Sequence, residues 1–178
     1  MRSPGNRTVS SNLTSSATYM TPHSSEGLNR EDDKAVYFYT SAFDALNNFS
    51  AHTVELWGRR FPTAEHAFQW KKFSEVRPEI SEEIFSAGCP EDAQRIAHAH
   101  KPEQPKDWHE RKVGIMEEIL RAKHAQHPTV QEALARTGTR TIVENSPVDS
   151  FWGIGPDGNG KNMVGVLWQM VREAETWP

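Results

Sequence analysis

Three side chains of complementary chemistry lie at helical spacing in the first half of this chain. Glu65, Gln69 and Lys72 belong to the segment FPTAEHAFQWKKF, residues 61–73. A helix advances about 100° per residue, so the three side chains are expected within roughly 60° of one another. The rest of the predicted helix is mostly aromatic or small and apolar, which is typical of a largely buried helix. The pattern predicts an acid, an amide and an amine lined up in a partly desolvated place.

This polar stripe has two interpretations. It could be a surface ladder, in which each pair stabilises the helix by only about 0.2–0.5 kcal/mol. If the aromatic flanks exclude water instead, burial raises the pKa of Glu65 and lowers that of Lys72, as expected of catalytic groups. His66 points about 100° away from Glu65 and is expected to pack or to orient its neighbours.

The elements around the stripe predict a compact α+β domain in which helices dominate and the sheet is small. Thr63 is the expected N-cap of the stripe's helix. Short strands are expected at 35–40 and 141–144, and a hairpin turns at Gly58. Further helices are expected to follow Pro78, Pro90, Asp107 as N-cap, Pro128 and Asn162.

The start of the chain differs in composition from the rest. Of the first thirty residues, eighteen are Ser, Thr, Asn, Gly or Pro. Such a segment cannot offset its ordering entropy by burial, so residues 1–34 are predicted to be a disordered tail and residues 35–178 a single folded domain. No run of eighteen apolar residues occurs, so no membrane segment is expected. The single cysteine, Cys89, fits a cytoplasmic protein.

The balance of charge limits the kind of partner. The formal net charge is −4, whereas extended binding to nucleic acid normally needs a basic surface that neutralises phosphates. One phosphate-bearing group in a local pocket is compatible with this charge. Eight histidines are present, but no HExxH or cysteine-partnered spacing occurs, so neither a metal nor another cofactor is expected.

A second group of candidate residues lies near the C-terminus. Asp149, Trp152 and Gly153 begin a glycine-rich connection that leads to Asn162. Such a connection can bind phosphate through free backbone N–H groups, or it can simply need glycine for positive φ. Trp152 and the earlier Trp108 could stack on a base or belong to the core.

From about Phe38 to Val171 the chain resembles the NADAR family, also called YbiA-like. Four segments carry the resemblance, in the family's order: Asn48-Phe49 before GRRFPT; Glu65-His66-x-x-Gln69-x-x-Lys72-Phe73; Asp107-Trp108 with Arg121-Ala-Lys123; and Asp149-x-x-Trp152-Gly153 through Gly160-x-Asn162-x-x-Gly165. The second and fourth segments at this spacing are quite specific. Asn47 stands where a serine is common, and His124 where an aromatic residue often follows the lysine.

The resemblance implies an N-glycosidase acting on glycosylamines, in which C1 of ribose is joined to an exocyclic amine. Two substrate classes are associated with such proteins: ADP-ribose on the guanine amino group of DNA or RNA, and phosphorylated ribosylaminopyrimidines of early riboflavin synthesis. Of the two substrates we favour ADP-ribosyl-guanine narrowly, although the net negative charge favours a small metabolite. ADP-ribosyl-guanine would imply an ADP-ribosyltransferase toxin as partner.

The shared bond also leads to expected roles for individual residues. Lys72 is the expected nucleophile of a Schiff-base exchange, with Glu65 as proton carrier. In the competing route, water attacks an oxocarbenium-like carbon, with Glu65 or Asp149 as base. Substrate-binding residues are expected at Asn48, Phe49, Gln69, Trp108, Trp152, Gly153 and Asn162.

Two other classes of protein stay open at this point. A non-catalytic module could bind ADP-ribose or NAD, although a protein that only binds its ligand does not need the Lys72 amine beside the Glu65 acid. A metal-dependent hydrolase would lose activity with a chelator, which we do not expect.

Overall fold

The computed structural model of this protein describes residues 27–39 and 44–175. Its strands are β1 (Arg30–Glu31), β2 (Ala35–Phe38), β3 (Val54–Leu56), β4 (Arg59–Phe61) and β5 (Thr141–Glu144). Its helices are α1 (Ala64–Phe73), α2 (Pro78–Phe85), α3 (Pro90–Ala99), α4 (Trp108–Gln126), α5 (Pro128–Arg136) and α6 (Met163–Glu175). Short 3₁₀ turns occupy Asp44–Leu46 and Lys101–Glu103. The predicted helix-dominated α+β fold is confirmed.

The larger sheet joins two strands that are far apart in the sequence. Its order is β1-β2-β5, with β1 antiparallel and β5 parallel to β2. Ala35 pairs with Thr141 and Phe38 with Glu144, so both parallel strands end at the same edge. Tyr39, which follows β2, therefore lies close enough to Glu144 for their charges to interact.

The smaller sheet is the predicted hairpin of β3 and β4. Its two-residue turn is made by Trp57 (φ 52°) and Gly58 (φ 74°). Two consecutive positive φ values are typical of the type I′ turn, which suits the twist of paired strands. The hairpin leads into α1, where Thr63 Oγ1 accepts a hydrogen bond from the backbone N–H of His66 (3.2 Å). The predicted N-cap is confirmed.

Helices α1, α4 and α6 enclose the main core together with the sheets. Trp168 on α6 is fully buried, and its Nε1 donates to the carbonyl oxygen of Leu46 (2.9 Å). Apolar residues of α2 and α3 form a smaller cluster against Phe73, at the end of α1. Because α1 is covered by several helices, its polar stripe is withdrawn from bulk solvent.

Most helix starts follow the sequence signals. Pro78, Pro90 and Pro128 each lie in the first turn of a helix, where the missing N–H has no partner to lose. Asp107 is the N-cap residue of α4, as predicted, but its side chain makes no capping hydrogen bond. Its backbone (φ −86°, ψ 6°) lacks the extended conformation that a capping side chain needs. Among the described helices, none is long and apolar enough to cross a membrane.

The N-terminal boundary of the folded part differs from the predicted one. Arg30 and Glu31 pair with β2 although they lie within 1–34. The Arg30 guanidinium also lies 3.9 Å from the ring centroid of Tyr37, which gives this stretch a packing partner. Residues 1–26 of the predicted tail lie outside the described residues.

Candidate active site

One cavity collects most of the predicted site residues. It has a volume of about 870 Å³ and is bordered by α1, α3, α4, the turn after the first 3₁₀ helix and the loop after β5. Eight of the ten predicted residues line it: Asn48, Phe49, Glu65, Gln69, Lys72, Trp108, Asp149 and Trp152. Gly153 and Asn162 are not part of its lining.

The polar stripe of α1 forms a hydrogen-bonded chain in the wall of this cavity. Lys72 Nζ donates to Gln69 Oε1 (2.7 Å), and Gln69 Nε2 donates to Glu65 Oε1 (2.7 Å). Only 5% of Glu65, 4% of Gln69 and 8% of Lys72 is exposed. This burial excludes the surface-ladder interpretation.

Burial changes the proton affinity of Glu65 and Lys72, the two end groups of this series of hydrogen bonds. It raises the pKa of Glu65 to about 7, against the opposing influence of the Gln69 hydrogen bond and the nearby Lys72 amine. It lowers the pKa of Lys72 to about 8, although the negative charge of Glu65 opposes the shift. A carboxyl and an amine that both change protonation near neutral pH suit proton transfer and nucleophilic attack.

The first turn of α1 is fastened on two sides. His66 Nε2 lies 3.2 Å from the carbonyl oxygen of Ala87 and its Nδ1 lies 2.8 Å from Thr63 Oγ1. His66 therefore orients the helix, as predicted, and does not line the cavity. The backbone N–H of Glu65 donates to the carbonyl oxygen of Asn48 (3.0 Å), which joins α1 to the turn at residues 47–50.

That turn presents Asn48 to the cavity. The Asn48 Nδ2 lies 3.4 Å from Met116 Sδ. Its Oδ1 is buried and has no hydrogen-bond partner among the described residues. Lys123, fully buried on α4, donates from Nζ to the carbonyl oxygen of Asn47 and to Ser50 Oγ, both at 2.7 Å. Lys123 therefore holds the turn while the Asn48 acceptor stays available to a ligand.

Aromatic rings form another wall of the cavity. The ring of Phe68 lies 5.1 Å from that of Trp108 and 5.3 Å from that of Trp152, centroid to centroid. The Lys72 Nζ lies 5.4 Å from the Trp108 centroid. Both tryptophans thus serve the core and the cavity, and they place an apolar surface beside the amine.

The glycine-rich connection, which the sequence offers as a phosphate-binding segment, makes hydrogen bonds within itself and to β5. The N–H groups of Gly160 and Lys161 donate to the carbonyl oxygens of Ile154 and Ser150, so these amides are already used. Asn162 Nδ2 donates to the carbonyl oxygen of Ile142, and its Oδ1 accepts from the backbone N–H of Glu144, both at 2.8 Å. The connection therefore fixes the end of β5.

Asp149 closes the loop that carries Trp152. Its Oδ1 accepts hydrogen bonds from the backbone N–H groups of Phe151 and Trp152, both at 2.7 Å. Its own N–H donates to Ser146 Oγ (3.0 Å). The side chain thus positions the tryptophan while it lines the same cavity as Glu65.

Several further polar residues of the cavity were not predicted as site residues, among them Tyr39, Glu144 and Lys112. Tyr39 and Glu144 come from the ends of the parallel strands, and Lys112 comes from α4. The Lys112 Nζ lies 3.3 Å from the ring centroid of Phe151. Ligands commonly bind at the carboxyl ends of parallel strands, but nothing in the sequence indicates that β2 pairs with β5, so Tyr39 and Glu144 were missed. Within the described residues, no group of three or more His, Cys, Asp or Glu side chains is arranged to hold a metal ion.

Comparison with known proteins defines the class to which this fold and cavity belong. Residues 29–174 match the NADAR domain family, and the chain belongs to this family. The resemblance carried by the four sequence segments is thereby confirmed.

Several relatives are similar over most of the domain. N-glycosidase YbiA of Shigella boydii is 34% identical over 143 residues, which cover 79% of this chain and 88% of the relative. An N-glycosidase of Nostoc punctiforme is 34% identical over 141 residues, covering 78% and 90%. A riboflavin biosynthesis protein of Vibrio vulnificus is 33% identical over 143 residues, but only 38% of that longer protein is covered. The solved structure of the E. coli protein YbiA has a TM-score of 0.73 at 31% identity, covering 83% of this chain and 88% of that one.

Proposed function

We propose that this protein is an N-glycosidase that hydrolyses the bond between C1 of a ribose and an exocyclic amine of a heterocycle. The observation that carries the proposal is the buried chain from Lys72 through Gln69 to Glu65 in the cavity wall. The names of the relatives from Shigella and Nostoc support the same class of reaction. The aromatic wall of Trp108 and Trp152 offers a surface on which a base can stack.

The proposed reaction uses Lys72 as nucleophile. A glycosylamine opens to an imine, and the neutral Lys72 amine adds to its C1. Glu65 donates a proton to the leaving nitrogen, which departs with the electron pair of the C1–N bond and leaves a lysine imine. Water then adds to C1, the lysine is released, and the products are free sugar and free amine. In the alternative, water attacks C1 directly and Glu65 or Asp149 takes its proton.

Two substrates fit this reaction, and different observations favour them. Phosphorylated ribosylaminopyrimidines are favoured by the riboflavin biosynthesis relative and by the net charge of −4. ADP-ribosyl-guanine in DNA or RNA, the first expectation from the sequence, is favoured by the cavity volume of about 870 Å³. That volume is near the upper end of the roughly 300–1,000 Å³ usual for ligand pockets. We now place the aminopyrimidine first; a toxin partner follows only from the guanine substrate.

The test is hydrolysis of both substrates side by side by the wild type and by Glu65→Gln. Gln keeps an acceptor for the Gln69 amide but cannot carry the proton, so turnover should fall at least about 100-fold. Glu117→Gln, which removes only a surface pair with Arg121 on α4, is the matched control and should remain active. Cleavage of one substrate alone identifies it. Tight binding without cleavage of either substrate would instead support the other class of protein, a non-catalytic module that binds ADP-ribose or NAD.

A further inference from the structure

Glu144 is a carboxyl group in the cavity to which the proposed reaction assigns no role. It ends β5 and lines the same cavity as Glu65 and Asp149. Its Oε2 atom is enclosed and has no hydrogen-bond partner among the described residues. A buried polar atom without a partner costs free energy, so its presence in a ligand cavity calls for a partner supplied by the ligand.

The backbone around Glu144 is held from two directions. Its N–H donates to Asn162 Oδ1 (2.8 Å), and its carbonyl oxygen accepts from the N–H of Ile154 (3.0 Å). It also pairs in register with Phe38 of β2. The strand end therefore holds the side chain at a defined place, as a recognition group requires.

The charges around Glu144 favour its neutral form. Burial, then the negative charges of Asp149 and Glu65, raises the pKa of Glu144 to about 8. Tyr39, which follows β2, has its own pKa raised by burial and by the negative charge of Glu144. At pH 7 Glu144 is thus mostly a carboxylic acid, with one O–H to donate.

We propose that Glu144 recognises the heterocycle of the substrate by donating a hydrogen bond from its carboxylic acid to a ring nitrogen or carbonyl oxygen next to the scissile amine. The loop that is hydrogen-bonded to Glu144 through Ile154 carries Trp152, so a base held against this ring lies in the same cavity as Glu144. Both candidate substrates have such an acceptor beside the amine. An anionic group is disfavoured at this place, because it would be repelled by the negative charges of Asp149 and Glu65.

The inference rests on the proposed function and is tested with Glu144→Gln and Glu144→Leu. Gln keeps a donor of similar length, so its KM at pH 7 should stay within about threefold of the wild-type value. Leu removes the donor at similar volume, so KM should rise about tenfold or more. Glu117→Gln is again the control. An unchanged KM in Glu144→Leu, in an enzyme that is active, would overturn the inference and leave the N-glycosidase assignment intact.

The pH dependence of binding gives a second test that does not need Glu144→Leu to fold. Calorimetry measures Kd for the two amine products, guanosine and the free aminopyrimidine, between pH 6 and 9. The affinity of the wild type for at least one product should fall as Glu144 loses its proton above about pH 8. The affinity of Glu144→Gln should not show this fall. Equal pH profiles would overturn the inference. If the wild type binds in this way without turnover, the proposed function fails and the recognition role stands; if it neither binds nor cleaves, both fail.

Discussion

Gln69 separates the acid from the amine in the candidate site. It accepts from Lys72 and donates to Glu65, both at 2.7 Å, and no direct ion pair joins the two end groups in the described structure. A direct ion pair would hold each of them in its charged form. With an amide between them burial dominates, so a neutral amine and a protonated carboxyl are both accessible near pH 7. These are the two states that amine attack and proton donation require.

The Lys72 assignment leads to a pH dependence with a defined sign. The amine gains nucleophilicity as pH rises through its pKa of about 8, whereas Glu65 loses its proton above its pKa of about 7. We expect a bell-shaped profile of kcat/KM with its maximum between about pH 7 and 8. At pH 7 about a tenth of an amine with this pKa is neutral, compared with roughly one in 3,000 for an ordinary lysine. A rate that falls steadily from pH 6 would contradict the amine as nucleophile.

Substitution checks the same assignment chemically. Lys72→Met should abolish turnover and also the sugar adduct that borohydride traps on the enzyme, measured by peptide mass spectrometry. Lys71→Met removes the neighbouring lysine, which pairs with Glu75 outside the cavity, and should retain both the turnover and the trapped adduct. A trapped adduct in Lys72→Met would place the imine elsewhere.

Helical spacing was sufficient to predict the stripe, because three residues on one helix share a face whatever the rest of the fold does. It could not reveal Glu144, which faces the cavity because β5 pairs with a strand about a hundred residues earlier. Nor could it show that Gly153 and Asn162 contact the end of β5. These roles depend on contacts between distant segments, and local pattern carries no information about them.

At the scale of elements, the close contact of α6 with β5 holds the end of the strand in place. A Cβ on Gly165 would collide with the carbonyl oxygen of Ile142 and with the side chain of Asn162. The same Asn162 side chain bonds to β5 on both sides of Val143. Gly165 is therefore required by close approach, and its contact supports the strand that ends at Glu144.

A pair of glycine substitutions tests this contact. Gly165→Ala should reduce the free energy of unfolding by at least about 2 kcal/mol, because backbone has to move to admit the methyl group. Gly114→Ala in α4 is the matched control: nothing lies within 4 Å of its added Cβ. It should stabilise by about 0.5–1 kcal/mol through helix propensity. Urea unfolding measures both changes, and an equal response of the two variants would contradict the close packing of α6 on β5.

The helices and strands themselves were largely predictable because their ends carry local signals. Prolines marked three helix starts, and the hairpin turn was marked by Gly58. The parallel pairing of β2 with β5 had no such signal, and it decides where the cavity lies. The anchoring of the 47–50 turn by Lys123 was equally hidden, since the lysine is 73 residues from Ser50.

At the scale of the whole molecule, ionisable groups with altered pKa values are buried inside the domain. Three of them, Glu65, Lys72 and Glu144, line one cavity. Lys123 lies beneath the neighbouring turn, and burial lowers its pKa to about 7. Charging any of them in the interior costs stability that an apolar or neutral side chain would not lose. We infer that the buried ionisable groups of the cavity reduce the stability of the fold and supply reactivity, as is common in functional sites.

This reduction predicts how stability changes with pH in Glu65→Gln. The folded pKa of Glu65, about 7, lies above its ordinary value of 4.5, so the folded state binds the proton more tightly. Its destabilising effect is therefore absent below about pH 4.5, grows through pH 7 and is complete above it. Glu65→Gln should unfold like the wild type near pH 4.5 and be more stable by up to about 3 kcal/mol at pH 8. Urea unfolding at both pH values measures the difference, and Glu117→Gln, which lies outside the cavity, is the control. A gain that is the same at both pH values would show that it does not come from the buried charge.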